Sequence, residues 1–279
     1  MRIFLKSFLG ALLALFVFFF LFGLIFVGII GSLASPQRAE TGSRAVLWLD
    51  LGQTFHEQNQ ENVLATIGAD DQMDQPGIYD IVRLLRYAKD DSAIRGIYIQ
   101  ANENPNGFAT CEELRNALID FSKSGKFIFA AGDVISQKAY YVANVSDKIY
   151  CNPKGGVNWM GFAARLPFFK QALQKLEIDP QIFYAGKFKS ATEPLREEHM
   201  TDANRLQTSE LIGALYSHFL EKTGEARKLD TVVLRKCVNE HLIRNANDAL
   251  TYKLVDGLKY DDEVKDEIRS RINIGRNEK

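Results

Sequence analysis

The chain has 279 residues, with 34 lysines and arginines against 35 aspartates and glutamates and a formal net charge of −1. This balance, without a concentrated basic stretch, argues against a nucleic-acid partner. Three cysteines, Cys111, Cys151 and Cys237, are too few and too scattered for a disulfide framework or a zinc site. We therefore expect buried thiols, at least one of them unpaired, and no metal or other cofactor.

The N-terminus is an uncharged stretch of apolar residues. After Arg2 and Lys6, residues 8–33 carry no charge, and about 20 apolar residues suffice to cross a bilayer. Residues 1–34 are thus predicted to be a short tail and a transmembrane helix, with the basic tail in the cytoplasm and the rest of the chain outside. Ser32-Leu33-Ala34 also fits a cleavage site, so a cleaved signal peptide stays an alternative.

The segment after the anchor is predicted to be a polar linker, residues 35–44, and an α/β domain, residues 45–200. Apart from a long polar excursion over residues 53–76, strand-like and helix-like patterns alternate. The predicted strands are residues 45–51, 94–99, 127–131, 148–151 and 181–185, and the predicted helices are residues 78–88, 111–122, 137–144 and 168–176. This order favours a mainly parallel sheet with right-handed crossovers.

Residues 201–279 are predicted to form a helical extension. Apolar residues at helical spacing lie between 211 and 220, and shorter helices are predicted at 229–238 and 247–254. The charged tail from residue 259 carries Val264 and Ile268 on one side. That face is expected to pack either on its own domain or on a neighbouring subunit.

The usual catalytic and metal signatures are missing from the sequence. His56-Glu57 is followed by Gln60 where a zinc peptidase would need a second histidine, and no Gly-x-Ser-x-Gly or phosphate-loop motif occurs. His218 falls on the apolar side of a predicted helix and is expected to be a satisfied core or interface residue.

Residues 181–195 carry the strongest candidate for chemistry. A strand-like apolar run breaks at Gly186 and is followed by Lys187 and Lys189, the latter beside Ser190. A lysine acts as a general base near neutral pH only when burial lowers its pKa from about 10.4. Tyr184, Phe188 and Pro194 are expected to supply that burial, although a surface lysine is the commoner arrangement. Such a lysine would take the proton of a serine hydroxyl.

Three stretches resemble the signal peptide peptidase A (protease IV) family: residues 186–194 with Lys189-Ser190-Ala191, residues 133–153 and residues 249–261. The similarity runs from about residue 45 onward. It implies a Clp protease/crotonase-like fold and a serine peptidase in which Lys189 is the general base and Ser190 supports it. It also implies cleaved signal peptides as substrates, a homo-oligomer, and a single-pass protein of the bacterial inner membrane whose catalytic domain is periplasmic.

Two positions depart from the family pattern. Gln137 stands where the family places its nucleophilic serine, and Ser136 lies one residue away, about a quarter turn around the helix. The stretch that matches the family's oxyanion-binding glycines reads Asn104-Pro105-Asn106-Gly107, and proline has no N–H to donate. This pattern resembles the first repeat of the two-repeat form, in which the first repeat donates the lysine and the second donates the serine.

Two hypotheses for function follow. In the first, the chain supplies the general-base lysine of a Ser/Lys endopeptidase, with the serine on a second repeat. In the second, it is a truncated, non-catalytic pseudopeptidase that acts as a binding or assembly subunit. An acyl-CoA enzyme of the crotonase type would share the fold, but the export signal counts against it.

Overall fold

The computed structural model describes residues 2–33, 42–58 and 76–275. The chain divides into two compact units, Met1–Gly42 with Glu61–Asp74, and Ser43–Gln60 with Gln75–Lys279. Most of the predicted linker 35–44 and of the polar excursion 53–76 lies outside the described residues. The predicted domain limits at residues 34, 44 and 200 stay predictions.

Helix α1 (Arg2–Leu33) is the described part of the first unit. Its segment Ile3–Phe26 has 24 residues, which at 1.5 Å per residue gives about 36 Å. The hydrocarbon core of a bilayer is about 30 Å thick. Length and composition therefore agree with the predicted membrane span, although an N-terminal signal sequence would share them.

The second unit is built on a five-stranded sheet in which the strands lie side by side in the order β1-β2-β3-β4-β5. All four strand pairs are parallel. The strands are β1 (Ala45–Asp50), β2 (Ile94–Gln100), β3 (Phe127–Ile135), β4 (Lys148–Val157) and β5 (Gly257–Leu258). The predicted mainly parallel α/β sheet is thus confirmed, while the two-residue β5 was not predicted.

Nine helices of the second unit's described residues accompany the sheet, three of them with six residues or fewer. They are α2 (Ile78–Asp90), α3 (Phe108–Ser122), α4 (Gln137–Ala143), α5 (Lys170–Lys175), α6 (Glu193–Arg196), α7 (Asp202–Arg227), α8 (Thr231–Asn239), α9 (Ala246–Thr251) and α10 (Asp261–Arg271). Helices and strands alternate up to β4, and beyond residue 200 the chain is mainly helical, as the hydrophobic pattern indicated.

Strand residues alternate between two apolar clusters because successive side chains point to opposite faces of a sheet. In β2, Ile97 and Ile99 belong to the larger cluster and Tyr98 to the smaller. In β3, Ile128 and Phe129 divide in the same way. Both faces of the sheet are therefore covered, which explains the nearly continuous apolar strands.

Helix α10 covers the smaller cluster. Val264 and Ile268 are buried there, Tyr98 donates a hydrogen bond to Asp261, and the hydroxyl of Tyr150 donates to Glu267 over 2.8 Å. Of the two partners expected for the Val264 and Ile268 face, the chain's own sheet is the one observed.

Strands β3 and β4 run further than predicted, to Ile135 and Val157. Their register shifts between Gly132 and Val134. In this stretch a Cβ on Gly155 would lie 1.6 Å from the carbonyl oxygen of Asp133, so only glycine fits. The extended ribbon leads directly into α4.

All three cysteines are buried and free, as expected for thiols that pack as small apolar groups. Burial raises the pKa of Cys151 to about 11. This thiol is therefore protonated near neutral pH and unsuited to act as a nucleophile.

The strand predicted at residues 181–185 is not formed. These residues are irregular and largely exposed, and the side chain of Phe183 is 91% accessible. The apolar run has strand propensity, but propensity yields a strand only where a partner strand pairs with it. In the described sheet the free flank of β4 is taken by β5.

Candidate active site

The start of α4 contains Ser136 and Gln137, the latter predicted to stand at the nucleophile position. Ser136 is the N-cap residue, and its Oγ accepts a hydrogen bond from the N–H of Ala139 over 3.4 Å. Its own N–H donates to the carbonyl of Asn102 over 2.8 Å. Ser136 thus serves the helix start, the usual role of a serine at this position.

Gln137 is the first residue of α4, and its carboxamide is turned into the protein. The side-chain Oε1 accepts a hydrogen bond from the N–H of Met160 over 3.1 Å. The Nε2 atom is buried and has no hydrogen-bond partner among the described residues. The predicted nucleophile position is therefore filled by an amide that binds the backbone just beyond β4.

The loop at residues 104–107 has already used its polar groups internally. Asn104 and Asn106 are buried, and the N–H of Asn106 donates to Oδ1 of Asn104 over 3.1 Å. Lys138 donates from Nζ to the carbonyl of Asn106 over 2.7 Å. Because Pro105 has no N–H and that of Asn106 is taken, neither of these two positions can donate to an oxyanion.

Lys189 precedes the short 3-10 turn Ser190–Thr192. Its side chain is exposed and makes no hydrogen bond or ion pair within the described part of the chain. Tyr184 and Phe188 are themselves 53% and 50% accessible. The expected burial of Lys189 by these aromatic residues is thus wrong for this chain, because both side chains lie at the surface and Tyr184 stacks under Arg196 instead.

Glu193 is a residue of the site that the sequence did not reveal. Its carboxylate is buried and accepts hydrogen bonds from Oγ1 of Thr201 over 2.6 Å and from Nδ2 of Asn204 over 2.8 Å. Burial alone would raise the pKa of Glu193, but these hydrogen bonds outweigh it and hold the pKa below its usual range. The carboxylate ties the turn that carries Lys189 to the N-terminus of α7.

A glutamate is usually exposed, so the residue type did not predict that Glu193 is buried. The sequence signal is that Thr201 and Asn204, at the start of α7, follow Glu193 by eight and eleven residues. A capping threonine, Thr201, already occupies that start. Ser190 is partly buried beside Lys189, and no hydrogen bond joins the two in the described residues.

The predicted site residues do not meet in this chain. Within the described residues, no hydrogen bond or ion pair links Lys189 to Ser136 or Gln137, and no group of three His, Cys, Asp or Glu side chains could hold a metal ion. Lys189 has an accessible amine beside a turn that Glu193 holds to α7. The oxygens of Ser136 and Gln137 at the start of α4 are bonded to backbone N–H groups.

His218 was predicted to be a satisfied core or interface residue, and its side chain lies at the surface of the second unit and not in its core. Its side chain is 46% accessible, and Nε2 lies 3.2 Å from the hydroxyl of Tyr141 and 3.3 Å from the carboxylate of Glu112. Tyr141 also donates to Glu112. The prediction that His218 is satisfied is correct, but the residue lies at the surface because the apolar face of α7 is only partly covered, with Leu211 60% accessible.

Comparison with known proteins gives a consistent set of relatives. The family described as Peptidase family S49 matches residues 120–275. The chain is 29% identical over 277 residues to "Protease 4" of Salmonella typhi, covering 94% of this chain and 45% of that protein. It is 26% identical over 191 residues to "Serine protease SPPA, chloroplastic" of Arabidopsis thaliana, covering 68% and 28%.

A second "Protease 4", from Haemophilus influenzae, is 29% identical over 152 residues, which are 54% of this chain and 25% of that protein. The chain thus spans less than half the length of these three curated relatives. The family match to residues 120–275 includes α4, Lys189 and the helices that follow Lys189.

Proposed function

The chain belongs to peptidase family S49, and on that premise we propose that it is the lysine-donating half of a membrane-anchored Ser/Lys endopeptidase. The observation that carries the proposal is the contrast between the two candidate positions. Lys189 is accessible on a turn fixed by Glu193, whereas the nucleophile position is filled by Gln137. In this proposal Lys189 of this chain is the base, and the nucleophilic serine belongs to another repeat.

The proposed chemistry follows from the free amine. As the serine Oγ of the second repeat attacks the scissile carbonyl carbon, the neutral Nζ of Lys189 accepts the hydroxyl proton. Lys189 then returns that proton to the leaving amine, and water hydrolyses the acyl-enzyme. A lysine acts as a general base only where burial favours its neutral form, so the proposal includes that the second repeat covers Lys189.

The substrates are proposed to be apolar peptides, cleaved signal peptides among them. Exposed apolar side chains accompany the lysine segment, with Phe183 at 91% and Phe188 at 50% accessibility. An apolar surface of this kind is suited either to an extended peptide or to a further copy of the chain in a homo-oligomer.

The proposed location is the bacterial inner membrane, with α1 as a single span and the catalytic unit in the periplasm. The basic residues Arg2 and Lys6 precede the span and favour a cytoplasmic N-terminus. Protease added to intact spheroplasts should digest the chain beyond about residue 35. Protection of the second unit would reverse the topology.

Fluorophosphonate labelling tests the division of labour. The chain alone should not label, and a serine-bearing second repeat should label only when this chain is joined to it or added to it. Labelling of the second repeat at the same rate without this chain would contradict the proposal and leave the non-catalytic subunit as the better description.

A further inference from the structure

A cavity of about 580 Å³ lies at the amino ends of β1, β2 and β3, the opposite end of the sheet from α4. Four cationic side chains line it: Arg44, Arg95, Lys126 and Arg271. We propose that this cavity, called here the basic cavity, binds a phosphate group.

Among the described residues, the four cations share the basic cavity without a counter-charge. No aspartate or glutamate lines it, and none of the four forms an ion pair within the described residues. Like charges that converge in a partly enclosed space repel one another and attract anions. The surplus of positive charge is thus a property of this cavity in a chain whose overall charge is close to zero.

Two of the cations are held in place by backbone carbonyls. Nζ of Lys126 donates to the carbonyls of Ala88 and Asp91, both over 2.6 Å, at the C-terminus of α2. An ammonium has three N–H donors, so one remains for a ligand. Nη1 of Arg44 donates to the carbonyl of Asn273 over 2.7 Å, and the rest of its guanidinium remains available.

The other two cations have their full donor sets available. The guanidinium of Arg271 lies over the rings of Phe127 and Phe129, at 5.2 and 5.5 Å from the ring centres, a contact that orients it without using its N–H groups. Arg95 makes no hydrogen bond or ion pair among the described residues. Two guanidinium forks match the oxygen geometry of phosphate.

Phosphate fits the basic cavity better than a carboxylate does. Its oxygens can accept from several N–H donors at once, whereas a single carboxylate would leave most of the four cations unsatisfied. A volume of about 580 Å³ lies within the range of small-molecule sites and leaves room for an organic group attached to the phosphate.

Two sources could supply the phosphate: an anionic lipid headgroup or a soluble phosphate compound. In sequence, ten residues separate Leu33, the last of α1, from Arg44. Ten residues span at most about 35 Å, so a headgroup is within reach if α1 crosses the membrane. That source rests on the proposed anchor, while the phosphate site itself does not.

Calorimetric titration of the full chain in a neutral detergent tests the site. The probes are inorganic phosphate, dihexanoyl phosphatidylglycerol and, as a carboxylate, acetate. Arg95→Gln and Arg271→Gln should each weaken phosphate binding about tenfold, and the double variant should abolish it. Arg235→Gln is the matched control, because Arg235 is an exposed arginine that lies over the ring of Tyr216 away from the basic cavity.

The outcomes separate the sources and can overturn the proposal. A lipid that binds at least tenfold more tightly than inorganic phosphate, with both lost in the double variant, supports a headgroup ligand. Equal binding of the two supports a soluble phosphate. Absence of phosphate binding to the wild type, equal binding of acetate, or an Arg235→Gln effect as large as that of Arg95→Gln would each overturn the site. Because the exposed Arg95 side chain makes no hydrogen bond or ion pair among the described residues, Arg95→Gln should fold, which the cooperative thermal unfolding of the variant checks.

Discussion

The start of α4 and the turn that carries Lys189 differ in where their polar groups find partners. At α4, Ser136 caps its own helix and Gln137 bonds to the backbone of Met160. At the turn, Glu193 is fully bonded within the fold, yet Lys189 extends outward with no partner in the described residues. The polar oxygens at the start of α4 are thus bonded to backbone N–H groups, whereas the amine of Lys189 is accessible in the described structure.

This contrast separates the polar groups that the fold itself requires to be bonded from a group that the fold leaves accessible. Buried polar groups usually find hydrogen-bond partners, and at the start of α4 Ser136 Oγ and Gln137 Oε1 both have backbone partners, while Nε2 of Gln137 has none among the described residues. An exposed lysine carries no such requirement, and the hydrogen bonds of Glu193 hold only the turn that follows Lys189 against the start of α7.

The largest expected effect is that of Lys189→Ala in the complete two-repeat enzyme. Removing the base should lower the hydrolysis of a peptide ester by at least about a hundredfold, since general base catalysis is typically worth 10²–10⁴-fold. Lys187→Ala is the matched control, because Lys187 is also exposed and lies over the ring of Phe188. Equal losses in both variants, measured as kcat/KM, would remove the distinction between the two lysines.

A smaller effect is expected for Glu193→Gln. The substitution keeps the shape but weakens the hydrogen bonds from Thr201 and Asn204, which should cost about 1–3 kcal/mol locally. We expect kcat to fall about tenfold with KM nearly unchanged, since the lysine is displaced rather than removed. Glu197→Gln serves as the control because the side chain of Glu197 is more exposed and its carboxylate bonds only to Arg196 among the described residues.

The same carboxylate should make the turn sensitive to acid. The folded pKa of Glu193 is held below the value of about 4.3 for an unfolded chain. Its stabilising contribution is therefore complete above that pH and is lost as the pH falls through the folded pKa. The protection factors of the amides at residues 186–196, corrected for the intrinsic exchange rate at each pH, should fall in the wild type as the pH drops below the unfolded value of about 4.3 and should depend less on pH in Glu193→Gln. An unchanged acid response in the variant would assign it to another group.

The smallest effects are expected at α4. Gln137→Ala should leave the activity of the complete enzyme within a few-fold of the wild type, because the lost hydrogen bond is a neutral one. Gln137→Ser should not create fluorophosphonate labelling in this chain, since Lys189 makes no hydrogen bond or ion pair with α4 within the described residues and the N–H of Asn106 is occupied. Labelling of that variant would show that the two positions do meet.

The sequence predicted those parts of the fold that depend on local pattern. The apolar runs at 94–99 and 127–131 became β2 and β3, because buried parallel strands require continuous apolar residues. The run at 181–185 has the same character but found no partner strand, and pairing is a non-local property. For the same reason the sequence could not show that Val264 and Ile268 cover the sheet.

In the candidate site too, the sequence predicted what depends on residue identity and missed what depends on contacts between distant residues. Residue identity was enough to suggest that Gln137 could not act as the nucleophile and that Pro105 could not donate to an oxyanion. The support of Lys189 by Glu193 depends on contacts with Thr201 and Asn204, eight and eleven residues away. The residue types of Glu193, Thr201 and Asn204 do not by themselves predict such a contact.

The covering of the sheet by α10 also means that the fold can be completed only late in synthesis, after α10 has been made. Tyr98 and Tyr150 bond to residues of α10 that follow them by 163 and 117 positions. Until α10 has emerged, the aromatic face of β2, β3 and β4 has no cover, and pairing across such separations is slow. A chain that crosses a membrane as it is made would therefore spend that interval with an adhesive surface exposed, the state in which protection from aggregation matters most.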